Sequence, residues 1–176
     1  MDREDWFVLR DLKRHNAKDP AWRVLPEKGF NTFTPMHESL RVVKGRTMRM
    51  QVPVIPDLLF VKATKQDLDE QMISSPTLQY RYMKGAPYRS PMTVPNAEME
   101  RFIHAVRSVS DPVYYLPEDI TPDKIGKRVR IVDGPMSGYE GKLMKVRGSR
   151  KRKLLISLEN YIVAAIEVEK DFIEFL

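Results

Sequence analysis

Cysteine is absent from the sequence, and histidine is rare, with three residues in a chain of 176. The lack of cysteine excludes disulfides, thiolate nucleophiles and cysteine-based zinc sites. The three histidines, His15, His37 and His104, are too far apart in the chain to form a local pair of metal ligands. We therefore predict no metal and no other cofactor.

Long apolar runs are missing as well, because no stretch approaches the roughly 18 to 20 residues that are needed to cross a bilayer. The opening residues, MDRED, lack the basic, apolar and small-residue order of a signal peptide. A soluble cytoplasmic protein is the expectation. With 42% hydrophobic residues, the chain is long enough for one large or two small domains with buried cores.

Motifs that carry bond chemistry are not found either. The sequence has no Ser-x-Gly nucleophile elbow, no phosphate-binding loop and no paired histidines. Asp67, Asp69 and Glu70 form a small acidic group, but they stand at the start of a predicted helix, where acidic side chains stabilise the helix dipole. The protein is therefore not predicted to be an enzyme.

Positive charge is present in excess, with a formal net charge of +6. Residues 123–176 hold 12 Lys and Arg against 8 Asp and Glu, whereas residues 1–122 hold 18 against 16. The shorter C-terminal part thus carries most of the excess. A basic balance favours a polyanionic partner, although many soluble proteins are equally basic.

Proline spacing divides the chain in two. Residues 109–123, VSDPVYYLPEDITPD, contain three prolines at five-residue intervals and show no helical or strand periodicity. This pattern predicts a linker between a domain at 1–108 and a domain at 124–176.

The first domain shows an interleaved order of elements. Apolar segments predict strands at residues 6–9, 30–33 and 58–63, and a long basic hairpin region occupies 38–53. Thr64 with Asp67 three residues later predicts a helix start. Asn96 is the predicted N-cap of a second helix, which carries an apolar stripe of Met99, Phe102, Ile103 and Val106. A further short helix is predicted after Asp19-Pro20, ending near Pro26. The order predicts an α+β sandwich, with an antiparallel sheet flanked by helices.

The second domain begins with a clear strand pattern. In Arg128-Val129-Arg130-Ile131 the apolar side chains alternate with arginines, which predicts one buried and one exposed face. Gly134 and Gly138 suit turns with positive φ, and Gly141 opens the next strand, where a missing side chain permits a close backbone approach. About five short strands are predicted here, and such strands bury a core by curling into a small barrel.

These features resemble two modules of one family. The C-terminal part resembles the KOW module, an SH3-like β-barrel, through Gly126, Val129, Ile131, Gly134, Gly138 and Gly141. The N-terminal part resembles the NGN domain of the NusG family through WFVLR at Trp6, GFNTFTPM at Gly29, VIPDLLFV at Val54 and VPNAEMERFI at Val94. The hairpin region and the segments around FVKAT and LQYRYMKG are similar to the specialised UpxY-type members, antiterminators of polysaccharide operons in Bacteroides-like bacteria.

The resemblance implies a transcription elongation or antitermination factor that binds RNA polymerase. In this family the NGN domain receives the polymerase clamp helices in an apolar depression, which suppresses pausing or premature termination. The matching positions here are Trp6, Ile55, Pro56, Leu58, Phe60 and Tyr80. Leu58 and Tyr80 are the preferred candidates and are expected to be partly exposed, although Leu58 stands where relatives carry an aromatic residue. Each of these residues has the alternative role of an ordinary core residue.

Two basic clusters are candidates for contact with non-template DNA or nascent RNA. The first follows the first strand and contains Arg10, Lys13, Arg14, His15 and Lys18. The second, at the barrel tip, contains Arg147, Arg150, Lys151, Arg152 and Lys153, and its last four members are expected to splay outward from the turn of one hairpin. Both clusters have a plain alternative, since charged side chains also keep a loop solvated and protect a sheet edge from association.

Other partners and functions stay open at this point. Relatives use an apolar side chain in the loop before the last barrel strand to bind a ribosomal protein or the terminator Rho, and this loop reads Glu159-Asn160-Tyr161. The alternatives to a specialised antiterminator are a general housekeeping member of the family and a KOW-type protein that binds ribosomal RNA.

Overall fold

The computed structural model describes residues 2–13, 17–86, 90–148 and 150–176. The chain forms two compact units, residues 1–96 and residues 97–176. The three helices of the described residues are α1 (Ala21–Glu27), α2 (Lys65–Ser74) and α3 (Asn96–Arg107). The strands in the first unit are β1 (Asp5–Asp11), β2 (Asn31–Phe33), β3 (Met36–Val43), β4 (Arg46–Pro53), β5 (Leu58–Ala63), β6 (Leu78–Tyr80) and β7 (Thr93–Val94). Those in the second are β8 (Val113–Tyr115), β9 (Ile125–Ile131), β10 (Glu140–Met144), β11 (Arg152–Leu158), β12 (Ile162–Val168) and β13 (Ile173–Phe175).

The first unit is built on an antiparallel sheet with the strand order β2-β5-β1-β6, in which β7 also pairs with β1. Side chains alternate across this sheet, so that Phe7 and Leu9 of β1 lie on the same face as Leu59 and Val61 of β5. This face packs against Leu25 of α1 and Leu68 of α2 in one buried cluster. The predicted α+β class and the antiparallel sheet with flanking helices are confirmed.

The two short helices of this unit begin where their sequences predict, and α1 also ends where predicted. The hydroxyl of Thr64 accepts a hydrogen bond from the backbone N–H of Asp67 at 3.1 Å, which is half of the predicted capping box. Pro20 precedes α1, and Pro26 lies in its last turn, so that the helix is only 7 residues long.

The basic region at 38–53 is a two-stranded hairpin of β3 and β4, paired from Met36 with Pro53 to Val43 with Arg46. In this two-stranded sheet neither strand has a second partner among the described residues. Its side chains are mostly exposed, including Leu40 at 66% and Val42 at 74%. The predicted hairpin is therefore present, and it presents apolar as well as basic groups to solvent.

The second unit contains α3 and a six-stranded antiparallel sheet with the order β13-β9-β10-β11-β12-β8. Val129 and Ile131 are buried while Arg128 and Arg130 are exposed, as their alternation predicts. Gly141 lies against the neighbouring strand, because a Cβ there would stand 2.9 Å from the carbonyl oxygen of Leu155. The predicted all-β character is confirmed for the strands between residues 113 and 175, but α3, which the sequence predicts as part of the first domain, belongs to the second unit.

Part of the segment predicted to be a linker is a strand. Tyr115 of β8 pairs with Val163 of β12, and Val113 pairs with Ala165. Val113 and Tyr115 pack against a small cluster of Leu155, Val163 and Ala165, on the side of the sheet opposite to Leu154 and Ile156. Residues 113–115 therefore cover a second apolar face, so they do not form the unstructured linker that the prolines predict.

Helix α3 carries the predicted apolar stripe, with Met99, Phe102 and Val106 buried and Ile103 half-buried. Asn96 is the first residue of the helix, and its side-chain oxygen has no hydrogen-bond partner, so the predicted cap bond is not formed. None of the helices in the described ranges has the length and apolar character that a membrane crossing requires.

Candidate functional site

The predicted polymerase-binding residues do not lie on one surface. Because β1 and β5 are antiparallel with Val8 opposite Phe60, the side chains of Trp6, Leu58 and Phe60 share one face of the sheet. Tyr80 pairs with Leu9 and lies on the other face, in the cluster beneath α1 and α2. The sheet register thus separates Tyr80 from the remaining candidates.

Tyr80 has the contacts of a core residue. Its ring centroid lies 5.6 Å from that of Phe7, and its hydroxyl donates a hydrogen bond to Asp69 Oδ1 at 2.9 Å. Burial, with Asp69 beside the hydroxyl, raises the pKa of Tyr80. Since only 8% of the residue is exposed, the expectation that Tyr80 is a partly exposed contact does not agree with this structure.

Trp6, Leu58 and Phe60 are buried too, with exposed fractions of 2%, 3% and 0%. Leu58 was expected to be partly exposed, and it is not. The loop before β5 is more accessible, since Ile55 is half-buried and Pro56 is exposed. Of the predicted set, Ile55 and Pro56 are therefore the residues that a partner reaches without rearrangement.

The loop at Ile55 and Pro56 is fastened to the sheet by the residue that follows it. Asp57 Oδ2 accepts from Arg10 at 3.2 Å and forms an ion pair with Arg81 at 3.3 Å. The backbone carbonyl of Asp57 accepts from the N–H of Asp11 at 3.2 Å. Sequence reasoning did not single out Asp57 or Arg81, because the partners of Arg10 become adjacent only through sheet pairing.

The first basic cluster is partly engaged in structure. Arg10 is held by Asp57, and Lys13 donates to the backbone carbonyl of Asp19 at 3.0 Å. Lys18 is exposed, and Arg14 and His15 lie outside the described residues. Among the described members of this cluster, Lys18 therefore has the charge that is most accessible to a ligand.

A buried carboxylate organises the loop that carries this cluster. Asp11 is 5% exposed, and its two oxygens accept from the N–H groups of Lys13 at 3.0 Å and Ala21 at 2.7 Å. The second of these bonds satisfies a free N–H at the start of α1. Asp11 is one of the residues that sequence reasoning missed, since an acidic residue at a strand end has no pattern that predicts burial.

The residues of the second basic cluster do not all lie on a single turn. Arg152 and Lys153 belong to β11, where they pair with Val168 and Glu167 and point to opposite faces. Arg147, Arg150 and Lys151 precede that strand and are exposed. The expectation that Arg150 to Lys153 all splay from one turn is therefore wrong, because the strand begins earlier than the apolar alternation indicates.

The turn between β9 and β10 is fixed to α3 within the second unit. The hydroxyl of Tyr139 donates to the backbone carbonyl of Arg101 at 2.9 Å, and the Arg101 guanidinium lies 4.7 Å from the centre of the Tyr139 ring. The imidazole Nε2 of His104 is 2.8 Å from the carbonyl oxygen of Pro135. These contacts join the turn that contains Gly134 and Gly138 to the helix.

The predicted KOW glycines take the conformations that their positions predict. Gly134 and Gly138 have φ of 77° and 88°, in the left-handed region that favours glycine. Gly126 and Gly141 lie against neighbouring backbone, since a Cβ at either would stand 2.9 Å from a carbonyl oxygen. In the loop before β12, Tyr161 is half-buried and follows the exposed residues Glu159 and Asn160.

A family model agrees with the first unit and extends beyond it. Residues 4–103 match the model of NusG, described as transcription termination factor NusG. This chain belongs to the NusG family. The match runs from the residue before β1 into α3, so it includes the Ile55 loop, the β3–β4 hairpin and the sheet. The NusG family consists of transcription factors without catalytic activity, and its members interact with RNA polymerase.

Proposed function

We propose that this protein is a transcription elongation and antitermination factor that binds RNA polymerase and suppresses pausing or premature termination. The observation that carries the proposal is the family match over residues 4–103, which covers the sheet and the Ile55 loop. A role in transcription agrees with the cytoplasmic location that the sequence predicts. The domain limits that we propose remain 1–108, 109–123 and 124–176, with a strand inside the connecting segment, whereas by its contacts α3 groups with the second compact unit.

The contact surface that we propose centres on Ile55 and Pro56. These residues are accessible, and the two ion pairs of Asp57 hold their loop in one position against β1. Trp6, Leu58 and Phe60 are buried on one face of the sheet, so they support the surface from within instead of forming its exposed part. Tyr80 is left out of the surface because it lies on the opposite face.

We further propose that the factor is specialised for polysaccharide operons, as its similarity to UpxY-type proteins implies. A general housekeeping role remains the alternative. Tyr161 is the residue here that would contact a ribosomal protein or Rho, and the polar Glu159 and Asn160 beside it favour a factor that does not recruit Rho. Nucleic acid, either non-template DNA or nascent RNA, is the proposed partner of the basic clusters.

Single-round transcription with purified core polymerase tests the function. We expect the full-length protein to raise the fraction of transcripts that pass a terminator in the leader of a polysaccharide operon. A general factor would act equally on an unrelated template, which distinguishes the housekeeping alternative. No effect on pausing or termination on either template would contradict the proposal.

A further inference from the structure

A basic groove with a volume of about 430 Å³ lies within the second unit, between β9, β10, β13 and the segment that leads into β11. Five of its lining side chains are cationic, and no Asp or Glu is among the described residues that line it. The cations are Lys127, Lys145, Arg147, Lys151 and Arg152. Three of these belong to the predicted basic tip, whereas Lys127 and Lys145 lie on other parts of the chain and join them only through the strand pairing.

The charges of the groove are largely uncompensated. Lys151 pairs with Glu167 at 3.1 Å, and Lys145 interacts electrostatically with Asp123, whereas within the described part of the chain Lys127, Arg147 and Arg152 form no ion pair with a carboxylate. The arginines that follow Lys127 on β9 are, in contrast, paired with carboxylates. Glu140 pairs with Arg128 at 2.8 Å and with Arg130 at 2.7 Å, and these arginines lower the pKa of Glu140. Positive potential is therefore concentrated in the groove and is reduced beside it.

An aromatic ring completes the groove. Phe175 of β13 is 57% exposed, although it is a large apolar side chain in a paired strand. The ammonium group of Lys127 lies 5.4 Å from the centre of the Phe175 ring, which places a cation beside an aromatic face. Val146, another lining residue, is 43% exposed.

We propose that this groove binds single-stranded nucleic acid, with phosphates on the cations and one base stacked on Phe175. Cationic grooves with an exposed aromatic ring suit single strands, because the face of an unstacked base is free to contact the ring and every base has such a face. A duplex hides its base faces, so it would use the charges and leave Phe175 exposed. The inference rests on the nucleic-acid role proposed above for the basic tip, and it does not depend on polymerase binding.

Fluorescence anisotropy with a labelled oligouridine and the full-length protein tests the stacking contact. Phe175→Leu keeps an apolar side chain but removes the ring, and we expect it to weaken binding about tenfold, because the stacking of a base on the ring is lost. The slope of log affinity against log salt should stay unchanged, because no phosphate contact is lost. Unchanged affinity of Phe175→Leu would overturn the stacking contact.

A matched pair of charge variants tests the groove itself. Lys127→Gln removes a groove cation, whereas Arg128→Gln removes an equal charge from the next residue of the same strand, where Glu140 already pairs with it. We expect the first variant to reduce the salt slope by about 0.7 and the second to leave it nearly unchanged. Equal effects of both variants would mean that binding follows net charge alone, and the groove would be rejected.

Further outcomes separate this inference from the broader proposal. One variant replaces Arg147, Arg150, Lys151 and Arg152 together by Ser. If this variant loses binding while Lys127→Gln and Phe175→Leu keep it, the basic tip binds nucleic acid and the groove is rejected. If the wild-type protein binds no oligouridine at low salt, both are rejected, whereas a polymerase result would be unaffected. If polyglutamate displaces the labelled oligouridine as strongly as unlabelled oligouridine does, the ligand is an acidic protein and the inference is overturned.

Discussion

The Arg10 guanidinium donates a hydrogen bond to Asp57 Oδ2 across 3.2 Å, which joins β1 to the loop before β5. Arg10 lies in a cluster that the sequence assigns to nucleic acid, yet its partner fixes the loop that carries Ile55 and Pro56. The pair therefore links the first basic cluster to the proposed polymerase surface.

Asp57→Ala is expected to weaken polymerase binding, because it releases both arginines and leaves the loop free to move. The free energy of unfolding should change by less than about 1 kcal/mol, since the ion pairs are partly exposed. Asp19→Ala is a suitable control. It removes the exposed ion pair between Asp19, in the loop before α1, and Arg23 of that helix. Equal polymerase affinity of the two variants, measured by a pull-down titration, would argue against a positioning role for Asp57.

Asp11→Ala is expected to destabilise the protein by about 2 kcal/mol. The buried carboxylate accepts two backbone N–H groups, one of them at the start of α1, and hydrogen bonds to charged groups contribute roughly 1.5 to 3 kcal/mol. Urea unfolding measures the change. A loss below about 0.5 kcal/mol would show that water replaces both bonds without cost.

Tyr80→Phe should leave polymerase binding unchanged and reduce stability by about 1 kcal/mol, because the ring stays packed on Phe7 while the hydrogen bond to Asp69 is lost. A charged residue at the same position is expected to be far more destabilising, since the site is buried. Reduced polymerase binding by Tyr80→Phe at unchanged stability would return this residue to the interface.

Tyrosine ionisation is expected to lower the stability of the protein at alkaline pH. Burial raises the pKa of Tyr114 to about 12, above the value of about 10 in an unfolded chain. The folded state then keeps a proton that the unfolded state releases. The stability that Tyr114 contributes in this way is complete below about pH 10 and is lost as the pH rises towards 12. Burial and Asp69 move the pKa of Tyr80 in the same direction.

Tyr114→Phe should accordingly show a smaller loss of stability between about pH 9 and about pH 11 than the wild-type protein. Urea midpoints at the two pH values measure the difference. An identical loss in both proteins would show that Tyr114 ionises equally easily in the folded and unfolded states.

Local sequence patterns predicted the secondary-structure elements that are determined by residues close to each other in the chain. The strand Leu58–Ala63 and the cap at Thr64 follow from residues within a few positions of each other. The alternation of Val129 and Ile131 likewise predicts their burial. The strand β8 was missed because its three residues stand between prolines and are too few to show alternation, and it forms through its pairing with β12.

The candidate sites were harder to predict because they depend on pairing. The face occupied by Tyr80 is set by its register with Leu9, which no local pattern contains. The partners of Arg10 and the neighbourhood of Lys127 and Phe175 also arise from residues that are distant in the chain. Residue type therefore identified candidates, and the sheet register decided which of them lie together.

Binding of the full-length protein to core RNA polymerase tests the central claim most directly, with Ile55→Asp compared against Ile73→Asp. Both variants place a carboxylate at an isoleucine of the first unit. Ile55 is half-buried in the proposed surface, and Ile73, which is 85% exposed on α2, lies outside it. We expect Ile55→Asp to weaken the affinity at least about tenfold, as loss of a central interface contact does, and Ile73→Asp to bind like the wild-type protein. Wild-type affinity of Ile55→Asp, with the unmodified protein bound to polymerase, would contradict the proposed surface, and no binding by the unmodified protein would contradict the function itself.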